Sequence, residues 1–141
     1  MTTLDGMTRT DARPARSPWL TAARVVMGVF GAQLLAGAVY FTFFASPAEG
    51  GVVSAFDWFV AVWAIVAAAG LLVTAMVPFS SAPRRIEAAW WVLGVHALWG
   101  VVKVAAYDEM PVSGIVLGVD VVIGLLLWRA ARVAPADPAV D

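Results

Sequence analysis

Four long apolar runs, parted by short polar breaks, constrain this chain more than any other feature. The first, VVMGVFGAQLLAGAVYFTFFA, carries no charge from Val25 to Ala45. The second, WFVAVWAIVAAAGLLVTAMVPF, covers residues 58–79. The third extends from about Ile86 to Tyr107, and the fourth, VSGIVLGVDVVIGLLLW, covers residues 112–128. A helix rises 1.5 Å per residue, so about 20 apolar residues cross the ~30 Å hydrocarbon layer. The pattern predicts an all-α membrane protein. Its spans fall near 19–45, 57–78, 86–107 and 112–129, within a domain of residues 19–132. Connections this short make neighbouring helices antiparallel, which predicts an up-down four-helix bundle. Residues 1–18 and 133–141 are polar and proline-bearing, and they read as disordered cytoplasmic tails.

Composition supports lipid as the solvent. The chain of 141 residues is 62% hydrophobic and 13% charged, whereas soluble domains carry about a quarter charged residues. The net charge is −1 and no basic stripe appears, which argues against a nucleic-acid partner. There is no cysteine. Disulfides, thiolate metal sites and thiol redox chemistry are therefore excluded. No phosphate-binding loop, nucleophile elbow or zinc-protease motif is present. The first apolar run is longer than the roughly 7–15 residues of a signal-peptide core, so an uncleaved helix is expected.

The arginines orient the chain. Arg9, Arg13, Arg16 and Arg24 precede the first uncharged run. Arg84 and Arg85 lie between the second and third spans, and Arg129 and Arg132 follow the fourth. The other two loops hold Glu49, Asp57, Asp108 and Glu109 and no base. The positive-inside rule places all the arginines, and with them both termini, in the cytoplasm. Arginine far exceeds lysine, and Ala, Val and Gly dominate, which reads as a high-GC bacterial source and so places the chain in a bacterial inner membrane. Trp19, Trp90, Trp91 and Trp128 mark one headgroup level and Trp58 the other. Trp63 and Trp99 lie deeper and read as packing residues.

Helices in lipid associate through close backbone approach and interhelical hydrogen bonds, because apolar side chains gain little by leaving lipid for one another. Small residues at four-residue spacing are candidate packing positions. These are Gly28, Ala32 and Ala36 in the first span and Gly114 and Gly118 in the fourth.

Polar side chains are scarce within the spans. Asp120 at a helix centre costs about 2.5–3.5 kcal/mol, against roughly 3–7 kcal/mol returned by the Leu, Ile and Val of the fourth span. Asp120 is therefore tolerated with little margin, and it is expected to find a partner. Depth suggests which one. His96 follows Arg85 by eleven residues and lies about 16 Å above that boundary. Asp120 precedes Arg129 by nine residues, and Gln33 follows Arg24 by nine, so each lies at about 14 Å. His96, Asp120 and Gln33 thus form a candidate buried polar layer, with a His96–Asp120 hydrogen bond at its centre. Two uses fit such a layer. It can act as interhelical glue, or as a functional site that binds a quinone head group, shuttles a proton or lines a pore. One His and one Asp are too few ligands for a metal site.

Lys103 lies two turns outward from His96. Its stem can snorkel to the outer headgroups, or its ammonium can pair with Asp57, Asp108 or Glu109 as outer-rim charges.

The layout, ending in the basic segment LLLWRAARVA, resembles the small four-span bacterial membrane proteins called DoxX-like, including the BphX-like set. The likeness covers nearly the whole chain and is one of architecture. It implies a place among membrane subunits of quinone-linked oxidoreductases or among relatives without an assigned activity. The expectation is a multi-pass inner-membrane protein without catalytic residues or a bound cofactor, acting as an accessory or assembly component. A partner is then the lipid bilayer together with another membrane protein or a second copy. The alternatives are a quinone-interacting subunit and a small oligomeric transporter.

Overall fold

A computed structural model describes residues 17–79, 81–107 and 110–133. Four helices dominate: α1 (Pro18–Phe43), α2 (Ala55–Met76), α3 (Ala82–Tyr107) and α4 (Met110–Val133). All four are long and apolar enough to cross a membrane. A helix satisfies every backbone donor and acceptor within itself, as the hydrocarbon layer requires. The chain is a multi-pass membrane protein with an antiparallel up-down bundle. The tail segments 1–16 and 134–141, together with Asp108 and Glu109, lie outside the described residues.

Local chemistry sets the helix ends. Pro18 opens α1, where its fixed φ suits the first turn and its missing N–H costs nothing. Ser54 caps α2. Its hydroxyl accepts from the Asp57 N–H at 3.1 Å, and its own N–H donates to the Asp57 carboxylate at 2.9 Å. This is a reciprocal capping box. Val77 is extended, as the residue before Pro78 must be, and α2 stops there. Between α1 and α2, Pro47–Glu49 forms one 3₁₀ turn with its own Ser46–Glu49 box. The Ser46 backbone N–H, aided by its hydroxyl, holds the Glu49 carboxyl below the usual glutamate range. Gly50 adopts φ 88°, open to glycine without strain. A side chain on Gly51 would overlap the Ala45 carbonyl.

Helix bounds differ from the sequence expectation at several places, α2 lying two residues earlier at each end. The segment expected as the loop before Ile86 already belongs to α3, which starts at Ala82 with Pro83 in its first turn. Likewise α4 takes in Pro111 and runs on to Val133. Proline in a first turn extends a helix backward rather than breaking it. The first helix stops at Phe43, two residues before the expected end.

The helices form a closed ring. Each packs on its sequence neighbours, and α4 closes on α1. Ala23 and Met27 of α1, Leu71 and Ala75 of α2, Ala89 and Leu93 of α3, and Ile123 and Leu127 of α4 fill the centre. The buried stripe of α3 passes through Ala89, Leu93, His96 and Gly100. That of α4 passes through Ser113, Val116, Asp120, Ile123, Leu127 and Ala130. Alternating steps of three and four are those of a left-handed knobs-into-holes seam. The outside is as apolar as the inside: Val29, Phe44, Val66, Ile115 and Leu125 are all more than half exposed. Lipid is the solvent that such a surface fits.

Small residues do bring helices together, but mostly not the expected ones. A Cβ on Gly31 would lie 3.1 Å from the Leu71 Cβ and 3.2 Å from the Ala68 carbonyl oxygen. Gly70 meets Val92, and Gly100 meets Leu117 as tightly. Of the expected α1 set, Gly28 has a neighbour, the Ala75 Cβ at 3.7 Å. Ala32 and Ala36 are exposed, being displaced by roughly 100° and 140° from Gly31 around the helix. Gly114 and Gly118 face outward with nothing within 4 Å. They flank the α4 seam instead of lying on it.

The two ends of the bundle differ in charge. At one end Arg24 donates to the Ala75 carbonyl at 2.8 Å and Arg85 to the Val77 carbonyl at 2.7 Å. Both guanidiniums therefore meet carbonyls at the C-terminal end of α2, which have no partner within their own helix. Arg129 lies over the Trp19 ring at the same end. Asp57, Lys103 and Tyr107 gather at the other.

Candidate functional site

The α3 and α4 seams bring His96 and Asp120 face to face. His96 Nδ1 lies 2.9 Å from both Asp120 carboxylate oxygens. A single N–H directed between two oxygens satisfies both at once, so the symmetry fits an Nδ1–H donor and an accepting carboxylate. The pair is enclosed: His96 is 1% exposed and Asp120 5%. Desolvation of this kind is tolerable only where the partner geometry is good.

Aromatic rings close the site. The Phe30 ring meets the imidazole edge-on at 5.6 Å between centroids. The Trp99 ring, one turn along α3, stacks on it at 5.7 Å. The Trp99 indole N–H then donates to the Val60 carbonyl at 3.1 Å, tying α3 to α2. Side chains of α1, α3 and α4 thus meet around one imidazole, and α2 is tied to them through Trp99. The sequence reading took Trp99 as simple packing and missed both its donor role and the part of Phe30. The available signal was the indole N–H itself, since a buried tryptophan usually finds an acceptor.

Gln33 does not join the layer. It has the right depth on α1 but is exposed. Gly31 and Met27 define the inward face, and two residues beyond Gly31 is about 200° around the helix. Phe30 reaches the histidine in its place.

At the other end the outer-rim residues form a linked set. The Tyr107 hydroxyl donates to Asp57 at 2.6 Å. The Lys103 ammonium lies over the Tyr107 ring, 4.4 Å from its centroid, and Phe56 stacks on that ring from α2. Lys103 and Asp57 are thus joined through Tyr107, by a cation–π contact on one side and a hydrogen bond on the other. The expected partners Asp108 and Glu109 lie outside the described residues.

Among the described residues, no group of three or more His, Asp or Glu side chains is placed to hold a metal. Chemically, the His96–Asp120 pair can hold two helices in register or hold a proton at mid-membrane depth. No protein-family model, curated protein or solved structure matches this chain.

Proposed function

We propose that this chain is an accessory or assembly component of a membrane complex. It sits in a bacterial inner membrane with both termini in the cytoplasm, an orientation supported by the side on which the arginines fall. The observation that carries the functional reading is the enclosure of the buried His96–Asp120 pair, with His96 1% and Asp120 5% exposed behind Phe30 and Trp99. A pair so covered fixes the register of α3 and α4 instead of receiving a substrate. The bundle then offers other proteins its surface, where Gly114 and Gly118 leave α4 smooth. Smooth faces of this kind allow close approach of another helix.

Extraction in mild detergent, followed by identification of what co-purifies, tests the reading. A stoichiometric membrane partner that survives His96→Gln supports it. Isolation as a lone monomer that binds a quinone analogue would instead establish the second reading, a quinone-interacting subunit of an oxidoreductase. That reading is favoured by the pair itself, since a histidine and a carboxylate in contact can pass a proton. A small oligomeric transporter is the third possibility in kind, and solute movement in liposomes that depends on Asp120 would establish it.

A further inference from the structure

The arginines at the basic end are used in two different ways. Arg24 and Arg85 meet the carbonyls of Ala75 and Val77. Arg129 and Arg132, on the last turns of α4, meet tryptophan rings. The Arg129 guanidinium lies 5.5 Å from the Trp19 centroid and 5.9 Å from that of Trp128, while Arg132 lies 3.9 Å over Trp128. Among the described residues, neither has a carboxylate within ion-pair distance.

Directly below them is an open apolar groove at the seam of α1 and α4. Trp19, Val122, Leu125, Leu126, Trp128 and Arg129 line it. From Val122 to Arg129 it runs about 10 Å along the helix. The groove therefore passes from hydrocarbon depth to the level where the two tryptophans and the basic residues mark the headgroups.

We propose that this groove binds one anionic phospholipid, its phosphate held by Arg129 and Arg132 and an acyl chain laid along Val122, Leu125 and Leu126. Charge complementarity selects the occupant. Two planar guanidiniums suit bidentate contact with phosphate oxygens. Among the described residues no acid compensates them, so a headgroup with net negative charge gains from both, while a zwitterionic one brings its own cation beside them. Basic pockets between membrane helices recognise anionic headgroups on these terms. The tryptophan rings hold the guanidiniums in place by cation–π contact and lower the entropy lost on binding.

Native mass spectrometry of the full chain in detergent, with added phosphatidylglycerol or phosphatidylcholine, tests this. One phosphatidylglycerol should be retained, with a preference over phosphatidylcholine of about fivefold for each arginine. The double variant Arg129→Gln/Arg132→Gln should lose that preference, and Arg84→Gln, which removes a charge elsewhere at that end, should keep it. Leu125→Trp, which fills the groove and leaves both arginines, should weaken retention of both lipids. Equal binding of the two lipids by the native chain would overturn the proposal. So would displacement of phosphatidylglycerol by inorganic phosphate, because the groove would then contribute nothing. A dimer that excludes lipid and is abolished by Leu125→Trp would assign the groove to a second copy and overturn it as well.

Discussion

His96 Nδ1 stands 2.9 Å from each oxygen of Asp120, a polar contact that ties α3 to α4 at mid-membrane depth. Its strength is bounded by its surroundings. Interhelical hydrogen bonds in membranes average about 0.6 kcal/mol and reach about 1.7, well below the 3–5 kcal/mol lost when a buried ion pair is broken in a soluble protein.

His96→Ala and Asp120→Ala should each lower stability by about 0.6–1.7 kcal/mol on the membrane scale. The double variant should lose no more than the worse single one. Thermal unfolding in detergent, analysed as a double-mutant cycle, checks this. Additive losses would mean that the two side chains do not act on each other.

Trp99→Phe keeps a ring against His96 and removes the donor to the Val60 carbonyl. The loss should be about 1 kcal/mol, the net worth of one hydrogen bond. Trp63→Phe, for which the contact seen is with the Phe59 ring, should cost less in the same unfolding measurement.

Glycine positions separate inside from outside. Gly31→Leu must push against the Leu71 side chain and the Ala68 backbone, and overpacking of this kind costs about 1–3 kcal/mol. Gly114→Ala and Gly118→Ala meet open space and should leave the unfolding temperature of the isolated chain unchanged or slightly raised, helix propensity favouring alanine. If α4 docks on a partner through this face, the same two changes lower the yield of the complex.

The loop carboxylate gives a pH-dependent marker. The folded pKa of Glu49 is lowered, chiefly by the Ser46 N–H. Its contribution is therefore complete above the unfolded glutamate pKa and is lost as pH falls through the lower folded value. A carbon-13 titration of Glu49 should show a midpoint below that of a free glutamate. Ser46→Ala should raise it only partway, since the backbone donor remains.

The cysteine-free chain permits a clean topology test. In intact cells, an impermeant thiol reagent should label Ala48→Cys, in the loop between α1 and α2. Val77→Cys, at the basic end, should react only after the membrane is opened. The reverse pattern would invert the proposed orientation.

Much of this architecture was legible along the chain. Hydropathy located four helices. A constant rise per residue placed His96 and Asp120 at one depth, and sequential antiparallel helices made them neighbours. Gln33 shared that depth and was assigned to the same layer, yet it points away from the bundle. Ala32, Ala36, Gly114 and Gly118 had the spacing of packing residues, while Gly31, Gly70 and Gly100 make the close approaches.

The divide between these outcomes is physical. Depth is a one-dimensional quantity, and it accumulates along a helix whatever the helix touches. The sequence alone therefore determined the spans, their alternation and the level of each polar group. Rotation about the helix axis is different. In water a polar face and an apolar face would reveal it, but here lipid and protein interior are equally apolar, and α1 carries valine and phenylalanine on its outside as well. Which side of α1 turned inward, which glycines met a neighbour and which ring covered His96 were decided by the close fit of four helices, and only the tertiary structure holds that information.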